Sequence, residues 1–246
     1  MLYRCILGTI GHIVFFGFLA LLILPGYIAY LIAHLFTKEP EYAFQAGATL
    51  AYKLFFIVTP KIVLKKDLRD NLPKSAIYIS THQSILDFPA LTTFIKKYHI
   101  FANVNLGKYP IVASICDLAG VMYINGKGVD EVSKIYEKFE NKLEEGKNVI
   151  FFAEGTRHEG DTLLPFKRGA FNLSKKTSKP IVPVVIEGAN KFLPRKAWCF
   201  RTSKKENIYL KVLEPLYPEN FENDKEMMQY AQKIMQEEKE RLCVLS

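Results

Sequence analysis

A chain of 246 residues allows one catalytic domain with a small appendage, and 49% apolar with 24% charged residues are the proportions of a globular protein with a real core. The net charge of +8, of which residues 60–246 hold +7, suits an anionic partner: phospholipid headgroups, a phosphorylated substrate, an acidic carrier protein or nucleic acid. Four scattered cysteines (Cys5, Cys116, Cys199, Cys243) lack CxxC or metal-like spacing, which argues against a disulfide framework or a zinc site and favours a reducing compartment.

From Ile6 to Phe36 there is no Asp, Glu, Lys or Arg, a run of 31 residues. About 20 apolar residues suffice for a spanning helix. A secretory signal peptide has an apolar stretch of only about 7–15 residues and ends at a small-residue cleavage site. Leu31-Ile32-Ala33-His34-Leu35 is a poor one, so the run reads as an anchor. Pro25-Gly26 predicts a bend in its middle. Two arrangements follow, a kinked spanning helix or a hairpin of two shorter helices dipping into one leaflet. His12 and His34, near the two ends, favour the hairpin because both would then lie beside the headgroups. Thr37–Pro40 reads as a linker, and Tyr42–Val58 as a helix that is either core-packed or interfacial. The chain is thus expected to divide into an apolar helical anchor, residues 1–59, and a catalytic domain, residues 60–246. A domain held at a membrane suits lipid chemistry better than nucleic-acid chemistry.

Beyond Pro60 strands and helices alternate. Ala76–Ser80 reads as a buried strand, Phe88–Tyr98 as a helix, Gly120–Ile124 as a short strand, and Val129–Glu145 as an amphipathic helix closed by Gly146. Asn148–Ala153 is a strand, Gly169–Lys176 a short helix, and Ile181–Ile186 and Ile208–Leu213 are strands. Phe221–Arg241 is a charged helix capped by Asn223. This order predicts an α/β fold, a mostly parallel sheet flanked by helices.

Two constellations carry chemistry. In Thr81-His82-Gln83-Ser84-Ile85-Leu86-Asp87 the His and Asp are five apart, and on one continuous helix they would point in different directions. They can meet only if the chain turns between them, and Ser84, Asp87 and Pro89 supply helix-start signals for such a turn. His82 would then sit at the carboxyl end of a strand, where α/β sheets place their ligands, with Asp87 orienting the imidazole as a general base. The plainer alternative is a structural His–Asp pair. In Phe152-Ala153-Glu154-Gly155-Thr156-Arg157, Gly155 permits a tight turn, Thr156 offers a hydroxyl and Arg157 a bidentate fork for phosphate. Lys167 and Arg168 follow just before a helix start, another favourable place for an anion. Here the plainer alternative is a surface loop with a Glu154–Arg157 salt bridge.

Taken together these blocks resemble the glycerolipid acyltransferase family, and within it the bacterial type of 1-acylglycerol-3-phosphate O-acyltransferase. The family's H-x-x-x-x-D block is matched by His82 and Asp87, with Gln83 and Ser84 also typical. Its F-P-E-G-T-R block is matched by Phe152, Glu154, Gly155, Thr156 and Arg157, with Ala153 in the proline position. Its proline-containing apolar strand is matched by Ile181-Val182-Pro183-Val184, and Lys167-Arg168-Gly169-Ala170 is similar to the segment before it. The remaining block, normally G-x-I-F-I-D-R, reads Gly120-Val121-Met122-Tyr123-Ile124-Asn125-Gly126; its usual arginine is absent and Lys127 comes one position late. The resemblance covers roughly residues 60–215.

The resemblance implies transfer of an acyl chain from an acyl thioester, either acyl-CoA or an acyl carrier protein, to the sn-2 hydroxyl of 1-acylglycerol 3-phosphate. His82 would be the base and Asp87 its partner. Arg157, with Lys167 and Arg168, would hold the acceptor phosphate, Glu154, Gly155 and Thr156 would belong to the same substrate-binding site, and Glu154 would order its loop. No metal or cofactor is implied beyond the donor, and the expected location is the inner membrane with the catalytic domain on the cytoplasmic face. The irregular second block leaves a rival acceptor open: a lyso-ornithine lipid, another lysolipid or glycerol 3-phosphate. A non-catalytic protein that binds acidic lipids at a membrane is the rival of another class.

Overall fold

Ala76, Ile77, Tyr78 and Ile79 are all buried, and their side chains alternate between two separate cores. Ile77 and Ile79 join one, Ala76 and Tyr78 the other, the period of two of a strand covered on both faces. The structure is a computed structural model and describes residues 24, 26–59, 62–102, 114, 116–123, 129–195 and 206–245. Its elements, in chain order, are α1 (Glu41–Val58), β1 (Ile62–Asp67), β2 (Ile77–Ser80), α2 (Asp87–Thr92), β3 (Tyr98–Ala102), β4 (Val121–Tyr123), α3 (Val129–Glu144) and β5 (Asn148–Phe152). After these come α4 (Gly169–Thr177), β6 (Ile181–Glu187), α5 (Ala189–Phe192), β7 (Glu206–Val212), a 3-10 turn (Pro218–Asn220) and α6 (Asp224–Leu245).

The seven strands form one sheet in the order β1-β7-β6-β2-β5-β3-β4. Every neighbouring pair is parallel except β6 and β7. The fold is therefore α/β with a mostly parallel sheet, as the alternation of elements predicts. One face carries Ile135, Phe139 and Leu143 of α3, Phe171 of α4, and Met227, Ala231 and Met235 of α6. The other carries Phe55 of α1, Ala90 and Leu91 of α2, and Ala189 and Phe192 of α5. At the end of α3, Gly146 takes the left-handed conformation (φ 78°) expected of it. Its N–H bonds Leu143 O and that of Lys147 bonds Lys142 O, the paired closure of a Schellman turn.

Several elements differ from the sequence reading, which also lacks β1 and α5. The helix expected over Phe88–Tyr98 stops at Thr92, because the hydroxyls of Thr92 and Thr93 turn back onto Pro89 O and Ala90 O and compete with the helical ladder. Lys97 then takes a positive φ of 47°, and Tyr98 opens strand β3, which the helix reading had absorbed. The last helix begins at Asp224 rather than Phe221 and runs to Leu245, with Asn223 Oδ1 accepting from Glu226 N (3.0 Å) as its cap. Neither Ser84 nor Asp87 caps α2; Leu86 stands at that position with no side-chain bond.

Residues 26–34 are helical and meet α1 where two glycines touch: a Cβ on Gly47 would fall 2.6 Å from Gly26 Cα. The residues at 24, 27, 28, 31, 32 and 35 are Leu, Tyr, Ile, Leu, Ile and Leu, all exposed, and their spacing draws one continuous apolar stripe. No helix among the described residues is long and apolar enough to cross a membrane. Most of the uncharged run, residues 1–23 and Pro25, and with it the choice between span and hairpin, lies outside the described residues. Helix α1 buries Phe44, Ala48, Ala51 and Phe55, and Gln45 clamps the start of β3: Nε2 donates to Tyr98 O (2.8 Å) while Oε1 accepts from Tyr98 N (3.2 Å).

Candidate active site

The chain leaves β2 at Ser80 and is pinned at Thr81, whose hydroxyl donates to Ile186 O (3.0 Å) and accepts from Ile186 N (2.9 Å). His82 follows, and the backbone then folds over so that Asp87, the first residue of α2, points back at it. Asp87 is fully buried. Its Oδ2 accepts from Gln83 N (2.6 Å) and Ser84 N (2.8 Å) and lies 2.9 Å from His82 Nδ1. An oxygen already taking two backbone N–H groups is a carboxylate acceptor, so the shared proton sits on Nδ1. In the neutral ring that leaves Nε2 with a free lone pair, the state required of a general base. The spacing of five thus becomes a contact through a turn, as the sequence demanded.

Strand β5 lies beside β2 in parallel register, Ser80 opposite Phe152, so both exit loops emerge at the same edge of the sheet. The His82 ring stacks on Phe152, with 3.6 Å between centroids and 10° between planes. Glu154 is buried and bridges the loops: one oxygen accepts from His82 N (3.3 Å), the other from Leu164 N (3.0 Å). Burial pushes its carboxyl above the ordinary value, and these two N–H groups pull the other way. The Glu154–Arg157 salt bridge of the plainer alternative is not formed, because both Glu154 oxygens serve backbone donors. His158 N donates to His82 O (2.7 Å) and ties the loops again.

Gly155 and Thr156 are exposed and Arg157 is half-buried. Lys167 is brought to this loop, its N–H bonded to Ala153 O (2.8 Å) and its aliphatic stem against Gly155. Among the described residues neither Arg157 nor Lys167 has an ion-pair partner. Arg168 is not free in this way. It forms a two-pronged bond with Asp224 at the start of α6 (2.8–3.1 Å). Ser84, which the sequence offered as a helix-start signal, donates to Leu193 O (2.7 Å) and accepts from Leu86 N. The irregular block around Asn125, Gly126 and Lys127 falls outside the described residues. A surface depression of about 530 Å³ at the β1–β7 edge, lined by residues 67–71 with Lys211, Glu214 and Pro215, contains none of these groups.

Sequence reasoning missed two supports of the dyad. Phe152 was recognisable as a motif residue, but its stacking on His82 depends on strand register. Gln83 reaches Glu187 at the end of β6, a contact across 104 residues with no local signal beyond the acid's place after the proline strand.

The family profile described as Acyltransferase matches residues 63–187, half of the chain. The chain is 32% identical over 130 residues to the chloroplastic 1-acyl-sn-glycerol-3-phosphate acyltransferase BAT2 of Brassica napus, covering 51% of this chain and 37% of that protein. It is 32% identical over 158 residues to the 1-acyl-sn-glycerol-3-phosphate acyltransferase alpha of Ovis aries, covering 63% and 54% respectively. It thus spans between about a third and just over half the length of these curated relatives. The crystal structure of the 1-acyl-sn-glycerophosphate acyltransferase PlsC of Thermotoga maritima has the same fold, with a TM-score of 0.70 at 24% identity over 91% of this chain and 95% of that one. With its motifs, their order and the matched span in agreement, the chain belongs to the acyltransferase family.

Proposed function

We propose that this protein transfers an acyl chain from acyl-CoA or an acyl carrier protein to the sn-2 hydroxyl of 1-acylglycerol 3-phosphate, giving phosphatidate. The observation that carries the reading is the oriented imidazole, His82 Nδ1 on Asp87 Oδ2 at 2.9 Å, near two cations, Arg157 and Lys167, that have no ion-pair partner among the described residues. His82 Nε2 takes the proton of the acceptor hydroxyl as its oxygen attacks the thioester carbonyl. The new C–O bond forms, the C–S bond breaks, and the thiolate leaves as thiol with the proton from the imidazolium. Asp87 holds the tautomer and balances the charge that develops on the ring. Arg157 and Lys167 hold the acceptor phosphate, and Glu154 fixes the two loops at one distance. The relatives named for this reaction support the acceptor.

Attachment to a membrane, in the bacterial case the cytoplasmic face of the inner membrane, is part of the same proposal. The exposed apolar stripe of residues 24–35 supports it, as do exposed Leu50, Leu54 and Ile57 on α1. Ile85, exposed between His82 and Asp87, offers the acyl chain an apolar rim at the site itself. The test is a panel of acyl donors and acceptors assayed on purified protein in detergent. Transfer to 1-acylglycerol 3-phosphate far above phosphate-free lysolipids is expected. Equal rates on both would replace this acceptor, and lipid binding without transfer to any acceptor would replace the enzyme with a binding protein.

A further inference from the structure

Lys239 lies in the middle of α6, a helix rich in charge, yet it is only 2% exposed. A lysine is almost never buried without a partner, and its partner is Glu187, itself 5% exposed, at the last position of β6 (Nζ–Oε2 3.0 Å). Such a pair is weak evidence for stability, since desolvating two charges cancels much of their attraction. What the pair holds is more informative. Glu187 Oε2 also accepts from Gln83 Nε2 (2.7 Å), Glu187 Oε1 accepts from Gly188 N (3.1 Å), and Gly188 N is shared with Gln83 Oε1 (3.2 Å). Both ends of the Gln83 amide are therefore fixed. The backbone N–H of the same residue is the shortest of the donors on Asp87 Oδ2. A continuous chain of contacts runs from Lys239 through Glu187 and Gln83 to Asp87 and the His82 ring.

We infer that Lys239 and Glu187 are positioning residues, through which the C-terminal helix grips Gln83 and holds the His82–Asp87 dyad in its working geometry. The inference rests on the acyl-transfer reading for its kinetic consequence, but not for its structural one. Removing Lys239 alone would strand a buried carboxylate and risk the fold, so the pair is changed together. Glu187→Met/Lys239→Met removes both charges and the acceptor for Gln83. Glu187→Gln/Lys239→Met removes both charges but leaves a side-chain carbonyl for Gln83. Gln83→Leu cuts the link from the other end and leaves the ion pair in place.

The measurements are steady-state kinetics and 15N-histidine NMR of the full chain in detergent micelles. The five histidines allow His82 to be assigned by difference with His82→Gln. Loss of orientation at the reacting group costs rate rather than binding. The Met/Met and Gln83→Leu variants should lose roughly ten- to a hundredfold in kcat with little change in KM. They should also lose the slowly exchanging Nδ1 proton signal of His82, while the Gln/Met variant keeps both within a few-fold of the unaltered protein. The inference is overturned if Gln83→Leu or the Met/Met variant keeps the rate and the signal. It is overturned equally if the Gln/Met variant falls as far as the Met/Met one, because then charge or stability, not the grip on Gln83, is what matters. Should the unaltered protein transfer no acyl chain at all, the functional reading fails, and the NMR comparison still decides the positioning.

Discussion

The imidazole of His82 lies flat on the ring of Phe152, the residue that ends the neighbouring strand. Asp87 holds one edge of the imidazole, and Phe152 covers one of its faces, so the ring has a single stable orientation. Phe152→Leu should keep the strand, because a leucine still packs there, but release the ring. The expected result is a kcat reduced about tenfold with KM nearly unchanged, and Phe152→Tyr should stay close to the unaltered rate. A Phe152→Leu enzyme of full activity would leave the stack without a catalytic role.

Removing the proposed base is a harsher change. His82→Ala should lower kcat by about two to four orders of magnitude, the usual contribution of a positioned acid–base group. Asp87→Asn should cost nearly as much, because the amide oxygen can keep the backbone N–H bonds but carries no charge to balance the imidazolium that forms on the ring. Neither change touches the apolar stripe, so sedimentation with phospholipid vesicles should be unaltered in both.

The three cations singled out near the site should separate. Arg157→Ala and Lys167→Ala are expected to raise the KM for a phosphate-bearing acceptor by about tenfold each, the cost of losing a charge-assisted contact of about 1.5 kcal/mol. Arg168→Ala should leave that KM unchanged, because the guanidinium is held by Asp224. It should instead lower stability by under about 1 kcal/mol, as for other exposed pairs. Kinetics on acceptors with and without a phosphate, with thermal unfolding in parallel, distinguish the two outcomes.

His99 supplies the pH dependence of stability. It is buried against Tyr42, whose hydroxyl lies 3.1 Å from its Nε2, and burial depresses it from 6.5 to about 4. Lys142 and Lys147 add to the depression while Glu145 opposes it. Between these values the unfolded chain binds a proton that the folded one refuses. Stability is therefore fully present above about pH 6.5 and declines as the pH falls towards 4, by on the order of 3 kcal/mol. Denaturant titrations across this range should show the slope, and His99→Gln should flatten it.

The exposed apolar stripe makes a separate prediction. Leu31→Glu/Ile32→Glu places two charges in its centre, on residues about half exposed, where folding has little at stake. Vesicle binding should weaken by at least about tenfold while transfer to a detergent-dispersed acceptor persists. Unchanged vesicle binding would move the attachment surface elsewhere.

How far the sequence led is clearest at individual residues. Strands β2, β5 and β6 were legible because they are continuous apolar runs bounded by turn residues, and such runs fit only a sheet covered on both faces. The His82–Asp87 contact was legible because helical geometry forbids it and turn signals permit it. Strand β1 was not: half of it is exposed and its Lys65-Lys66-Asp67 end carries no apolar signal. Lys239 read as one more solvated charge on a polar helix, and Arg168 as an anion ligand beside a helix start. Their partners, Glu187 and Asp224, lie 52 and 56 residues away, and pairings at that distance are set by how the layers stack, which no local pattern encodes.

The touching glycines at 26 and 47 have a consequence of their own. With no side chains between them, the stripe-bearing helix packs backbone to backbone against α1, and Gln45 in turn ties α1 to the sheet. On the membrane of the proposed function the domain would therefore ride at a set draught, with the imidazole at one height above it. On the proposed function, acceptors whose hydroxyl lies at that depth would meet the imidazole without being pulled out of the layer, so selection among lipids would begin with how deep the alcohol sits.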